Sequence, residues 1–204
     1  MLWLYLVGVS VVAYLIGSIS TGYIAVKTLK GQDIREVGSG STGATNVKRV
    51  LGKKWFFIIL ILDAIKGMAP VFLSAYFAGK FGDNYLISPP LAALFVILGH
   101  SKPIFLNFRG GKSVASGVGT IIALSPTVGF TVAIIWAIIT YASKYVSLGS
   151  IIAVSLAPFI MFAFKKPISY VVYCALGAIY IVYLHRENIK RLVKGEENKV
   201  RQWF

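Results

Sequence analysis

The sequence predicts an all-α integral membrane protein, a seven-transmembrane-helix bundle with its N-terminus out and its C-terminus in. Three observations predict it. Hydrophobic residues fill 57% of the 204 positions and charged residues only 14%, where a soluble domain carries roughly 25%. The apolar residues come in continuous runs, not alternating with polar ones. That pattern excludes an outer-membrane barrel and leaves helices, because an unpaired backbone cannot lie in lipid. Finally, 21 Lys and Arg stand against 7 Asp and Glu, a formal charge of +14, and they fall mostly between the runs. A disordered chain, a coiled coil and an ordinary soluble enzyme are excluded. Residues 1–204 read as a single membrane-embedded domain.

The first span covers residues 2–26. It is long, lacks a basic start and shows no small-residue cleavage pattern, so it reads as a retained helix, not a signal peptide. The second covers 55–78. The third, 85–99, has Pro89 and Pro90 near its start, which suits a first helical turn. Residues 113–143 form an uncharged stretch of 31 residues. As one helix it would measure about 46 Å, against a hydrocarbon core of roughly 30 Å. Folding it back at Ser125-Pro126 gives spans at 113–125 and 127–143, and 149–164 and 168–184 follow, separated by Lys165-Lys166-Pro167. With seven spans, one side of the membrane holds 17 Lys and Arg and the other 3; with six the split is 12 to 8. The bias of basic residues to the cytoplasmic side favours seven. No internal repeat is evident, which gives a two-fold transporter architecture no support.

Three polar segments interrupt the runs. Residues 38–49 read GSGSTGATNVKR. Gly38, Gly40 and Gly43 let the backbone turn its N–H groups inward, Ser39, Ser41, Thr42 and Thr45 add hydroxyls, and a helix starting near Ala44 would add partial positive charge behind the loop. Arg49 offers a planar fork to a phosphate. A flexible linker with Lys48 and Arg49 on lipid headgroups is the plainer alternative. Residues 99–116 read GHSKPIFLNFRGGKSVAS. Gly111-Lys112-Ser113 imitates half of a Walker motif, but the leading glycine is replaced by Leu106 and no strand precedes it, so an ATP-binding P-loop is rejected. Arg109, Gly110, Gly111 and Lys112 still place two cations beside mobile backbone. Flanking charge alone is the competing reading, and His100 reads as a helix-end residue. Residues 185–197 read HRENIKRLVKGEE, with His185 and Asn188 three apart on a continuing helix and Arg191 one turn further. A basic amphipathic tail on anionic lipid is the alternative there.

Residues 145–150, YVSLGS, read as a cytoplasmic turn. Asp63 and Lys66, three apart inside the second span, read as a structural ion pair beside a polar cavity. The lone Cys174 lies mid-span and forms no internal disulfide. No cluster of metal ligands is present, so no metal and no cofactor are expected. Nucleic acid is a poor partner, since no soluble basic domain exists to dock it. With seven spans all three polar segments and the YVSLGS turn emerge on one face. Together they form a cationic pocket at the lipid boundary, suited to a phosphorylated polar molecule from water and an acyl chain from the bilayer.

These segments resemble the three signature motifs of the PlsY family of bacterial acyl phosphate:glycerol-3-phosphate acyltransferases, and LDAIKG at 62–67 and YVSLGS also fit. The likeness covers essentially the whole chain. It implies a multi-pass protein of the bacterial cytoplasmic (inner) membrane with its active site facing the cytoplasm. It also implies transfer of a fatty acyl group from acyl phosphate to the 1-hydroxyl of glycerol 3-phosphate, giving lysophosphatidic acid and inorganic phosphate, the first committed step of phospholipid synthesis. Carried over by position, Ser39, Arg49, Lys112, Ser150, His185 and Asn188 are the catalytic candidates. Gly38, Gly40, Ser41, Gly43, Thr45, Asn46, Arg109, Gly110 and Gly111 are the substrate-binding ones. Ser41, Ser113 and Ser116 depart from the family's usual Asn, Gly and Thr. Acyl phosphate, glycerol 3-phosphate and membrane lipid are the implied partners; the sequence sets no oligomeric state, and a monomer suffices. Acyl phosphate is already an activated mixed anhydride, so direct attack by the substrate hydroxyl, without an acyl-enzyme, is expected. A small organic-phosphate transporter would also need a basic pocket, but the outer loops are too short to build a second gate.

Overall fold

The computed structural model describes residues 1–83 and 86–199. Ten α-helices lie among them: α1 Leu2–Ser18, α2 Thr21–Lys30, α3 Ala44–Leu51, α4 Lys53–Ala78, α5 Ser88–Ser101, α6 Val114–Leu124, α7 Pro126–Ser143, α8 Val146–Ala163, α9 Ile168–Leu184 and α10 Arg186–Val193. By length and apolarity five helical segments can cross a membrane, and six if the bent pair α9–α10 counts as one. α6 is apolar but has only 11 residues. The exterior is apolar where a soluble protein would be polar: Trp3, Phe159, Phe162 and Ile179 are all 70% exposed or more. These side chains face lipid, which makes the protein an all-helical, multi-pass integral membrane protein.

Helices approach closely through small residues, the usual means of packing in lipid. Gly17 and Gly99 bring α1 against α5, and a methyl on either would collide with the other helix's backbone. Gly67 and Gly119 do the same between α4 and α6. Ala92, Ala93, Val96 and Ile97 of α5 lie at the centre, packed with Val128 and Val132 of α7 and Met161 of α8. A second apolar cluster, Val26, Ile34, Val47, Phe56 and Ile59, fastens α2 and α3 onto α4.

The chain reverses at Ser125-Pro126. Gly129 rests on the backbone of Ile122, whereas residues seven apart in a continuous helix are about 10 Å apart along the axis. Elsewhere the helices differ from the sequence reading. The first run is broken: Ile19 and Ser20 are extended, and helix then continues to Lys30. Residues 146–150 are not a turn but the opening of α8. Residues 185–193 do not continue α9 straight; the axis bends by 61° at His185. Tyr85, from which the sequence starts the third span, lies outside the described residues; α5 begins at Ser88, where Asp83 accepts hydrogen bonds from the Ile87 and Ser88 amides at 2.9 and 2.7 Å.

Candidate active site

At one end of the bundle a cleft of about 840 Å³ opens between the 38–49 segment, the start of α6, the start of α8 and the α9–α10 bend. Ser39, Arg49, Lys112, Ser150, His185 and Asn188 all line it, as do Gly38, Ser41, Gly43, Thr45 and Asn46. Phe56, Leu60 and Trp136 form an apolar flank.

The 38–43 loop is organised by Asn46, which is 1% exposed. Its amide nitrogen donates to the carbonyls of Ile34, Val37 and Ser41 at 3.2, 2.9 and 2.9 Å, and its Oδ1 accepts the Ser39 N–H at 3.0 Å. Asn46 was expected to touch substrate; its amide is instead engaged with the loop itself. Gly38 has φ 62° and its Cα sits against Asn46 Oδ1, so no other residue fits there. Gly40 also has a positive φ, of 68°, but its N–H bonds the Val37 carbonyl at 3.1 Å and the residue does not line the cleft. Gly43, by contrast, has φ −78° and precedes α3 as ordinary extended backbone. The first N–H groups of α3, at Ala44 and Thr45, open toward the cleft. Arg35, not singled out by the sequence, ties this loop to the next. It pairs with Asp33 and donates to the Leu106 carbonyl at 3.0 Å.

Arg109, Gly110 and Gly111, expected to bind substrate, do not line the cleft. Arg109 is exposed outside it. Gly110 and Gly111 pack on His100, the carbonyl of which accepts the Gly111 N–H at 3.0 Å. A side chain at either position would collide with His100, so the turn lies close on α5, with Lys112 projecting beyond it.

Lys112 Nζ donates to Asn188 Oδ1. Asn188 Nδ2 donates to Glu197 Oε1 at 2.7 Å, Ser147 Oγ donates to the same oxygen at 2.8 Å, and Arg191 Nε reaches Oε2 at 2.7 Å. Glu197, missed by the sequence reading, is the hub of this corner. Burial works to raise its carboxyl, but the three hydrogen bonds and the Arg191 charge outweigh it and hold the group below its ordinary value. Burial pushes Lys112 down to about 8; Glu197 opposes the fall, while Arg191 and Arg49 add to it. Burial likewise lowers His185 to about 4. His185 Nδ1 faces the Ile181 carbonyl at 2.8 Å. A carbonyl only accepts, so Nδ1 carries the proton and Nε2 is left as a bare acceptor. Ser150 Oγ is engaged on both sides, donating to the Val146 carbonyl at 2.8 Å and accepting from Trp136 Nε1 at 3.2 Å. It therefore fixes the Trp136 ring at the apolar flank.

On the far wall Asp63 and Lys66 form the expected pair, at 3.1 Å, with Thr21 and His100 joined to it. Among the described residues no three of His, Cys, Asp and Glu gather as metal ligands. The arrangement provides cations on two sides of a cleft, helix N–H groups, one bare imidazole nitrogen and an apolar flank. It can hold phosphate groups and an acyl chain side by side.

Residues 7–195 match the family described as Glycerol-3-phosphate acyltransferase. A relative of that name from Nostoc sp. is 44% identical, over 98% of this chain and 94% of its own. Crystal structures of PlsY, an integral membrane glycerol 3-phosphate acyltransferase, share the fold over 95% of this chain and 94% of theirs. The glycerol 3-phosphate form has a TM-score of 0.87 at 38% identity, and the lysophosphatidic acid form 0.85 at 37%. With a matching fold, a phosphate-suited cleft and this degree of identity along nearly its full length, the chain belongs to the glycerol-3-phosphate acyltransferase family.

Proposed function

We propose that the protein moves a fatty acyl group from acyl phosphate to the 1-hydroxyl of glycerol 3-phosphate, releasing lysophosphatidic acid and inorganic phosphate. The observation that carries this reading is the convergence of Ser39, Arg49, Lys112, Ser150, His185 and Asn188, from four distant segments, on one cationic cleft with an apolar flank. The substrate hydroxyl attacks the acyl carbonyl carbon directly, and the bond from that carbon to the phosphate oxygen breaks. Arg49 and Lys112 neutralise the phosphates, and the start of α3 with Ser39 receives the departing one. The hydroxyl proton goes to the bare Nε2 of His185 or to the leaving phosphate itself. No side chain is acylated: Cys174 is buried within α9, away from the cleft.

The same reading takes residues 1–204 as one domain in the bacterial inner membrane, with seven crossings, the N-terminus out and the cleft facing the cytoplasm. Two arguments support it. Lys112 and Val146 line one cleft, so the chain between them leaves and returns to the same face, which supports taking α6 and α7 as two crossings. α6 measures only about 16 Å, but it starts at the cleft floor, beneath the membrane surface, and need not span the full hydrocarbon thickness. The basic residues cluster on that face, as a cytoplasmic side requires.

Purified protein in detergent, given acyl phosphate and glycerol 3-phosphate, should release phosphate and form lysophosphatidic acid, and Lys112→Ala should abolish both. Trapping an acyl group on the protein with donor alone would overturn direct transfer.

A further inference from the structure

Asp63 and His100 line the cleft, and with Lys66 they form a group of three buried polar side chains, joined by the half-buried Thr21, that the proposed chemistry does not use. Their bonding is complete in an unusual way. An ammonium has three N–H donors, and Lys66 Nζ has three acceptors: the Ile19 carbonyl at 2.8 Å, Asp63 Oδ1 at 3.1 Å and His100 Nδ1 at 3.1 Å. The Ile19 carbonyl is available because the α1–α2 break strips it of a helical partner. Asp63 Oδ1 also accepts the Thr21 hydroxyl at 2.8 Å. Because the ammonium only donates, His100 Nδ1 must accept, so the imidazole proton sits on Nε2.

That ring is the surface on which the turn before Lys112 lies. The Gly111 N–H donates to the His100 carbonyl at 3.0 Å, and a methyl on Gly111 would collide with His100 Nε2. Just beyond, the Ser113 hydroxyl donates to the Ile97 carbonyl at 2.6 Å. Lys112 thus stands between two anchors on α5, and the nearer anchor is fixed by Lys66. Charges buried in a membrane protein are costly, and apolar side chains would pack the same volume without that penalty.

We propose that His100, oriented by Lys66, is a positioning residue for Lys112. It sets how the 110–113 turn lies on α5 and so where the Lys112 ammonium meets Asn188 and the cleft. The inference rests on the reading of Lys112 as the phosphate-neutralising cation, and its test keeps the two apart.

Two substitutions at His100 divide its contributions. His100→Phe keeps a ring under Gly111 but leaves Lys66 one acceptor short. His100→Asn loses ring volume but puts an amide oxygen where Nδ1 accepts. Steady-state kinetics with glycerol 3-phosphate and acyl phosphate should show kcat reduced on the order of 100-fold in the Phe variant. The Asn variant should recover to within about tenfold of the parent, a rescue that a packing role would not give. The rate of Lys112 acetylation by acetic anhydride, read by mass spectrometry in the full-length protein, should rise in the Phe variant and stay near the parent's in the Asn variant. If the Phe variant does not fold, the Asp63→Asn/Lys66→Met pair, which removes both buried charges together, carries the same test. Unchanged kcat and unchanged Lys112 labelling in the Phe variant, or an Asn variant as slow as the Phe one, overturn the proposal. Full activity in Lys112→Ala, alongside faster Lys112 labelling in His100→Phe, would instead leave the positioning intact and remove the catalytic role of Lys112.

Discussion

Raising the pH should switch this enzyme off earlier than an ordinary lysine would allow. Lys112 titrates near 8 instead of 10.5, chiefly because it is buried, with Arg191 and Arg49 adding to the fall. Only its ammonium form neutralises a phosphate, so the sign is fixed: activity is present below the shifted value and lost above it. A single group with a pKa near 8 is charged in about 90% of molecules at pH 7, about half at pH 8 and about 10% at pH 9. The value of kcat/KM for glycerol 3-phosphate should therefore fall about fivefold between pH 8 and pH 9. A bound phosphate adds attraction that favours the ammonium, so the limb for kcat should lie at higher pH than the limb for kcat/KM. Lys112→Arg is the control, because a guanidinium stays charged throughout this range. Whatever its absolute rate, that variant should show no limb near 8. Phosphate release measured in detergent from pH 6.5 to 10 decides it. A flat parent profile from pH 7 to 9.5, or the same limb in the Arg variant, would refute the assignment of the limb to Lys112.

Replacing Glu197 by Gln removes the charge that holds the Lys112 value up, so the alkaline limb should move toward neutral pH in the same assay. Asn46→Ala removes four hydrogen bonds from the glycine-rich loop; at about 1 kcal/mol each, the loss should be at least ~3 kcal/mol, visible as a lower melting temperature. Gly38→Ala should also destabilise, by ~1–3 kcal/mol or more, because it combines a left-handed φ with a collision. Gly43→Ala should not, since the nearest atom to its new methyl is Ser41 Oγ at 3.7 Å; equal melting temperatures for the two variants would contradict this. Activity should survive EDTA, and a loss restored by a divalent cation would expose a metal requirement.

The parts legible in the sequence were those set by local composition. The reversal at Ser125-Pro126 follows from a stretch too long for one crossing and from the distribution of basic residues. The start of α3 follows from a run of small residues giving way to helix formers. The parts that were not legible depend on partners far along the chain. Nothing in Ile19-Ser20-Thr21 marks a helix break, because the freed carbonyl is satisfied by Lys66, 47 positions away. Asn46 reads as a free polar group beside a phosphate loop until its three carbonyl acceptors are seen. Glu197 looks like one more charge in a basic tail, since its partners include Ser147, 50 residues earlier. Arg109 and the Gly110-Gly111 pair read as charge and flexibility beside Lys112, and only the fold shows that the glycines lie close on His100 while none of the three lines the cleft.

The site residues share a structural property that explains why they converge. Each lies at or beside a place where helix stops inside or near the membrane: the loop before α3, the left-handed Ser113 before α6, the beginning of α8 and the bend at His185. A helix end in lipid leaves backbone N–H and C=O groups without partners, so such ends are tolerated only where protein or water supplies them. Gathering the ends around one water-accessible cleft satisfies this demand and, by the same act, concentrates oriented N–H groups where a phosphate can use them. In the proposed direct transfer, acyl phosphate needs no nucleophile from the protein, only charge placed against its leaving group. Helix ends and three or four cations provide that, which is why so small a bundle suffices for the chemistry.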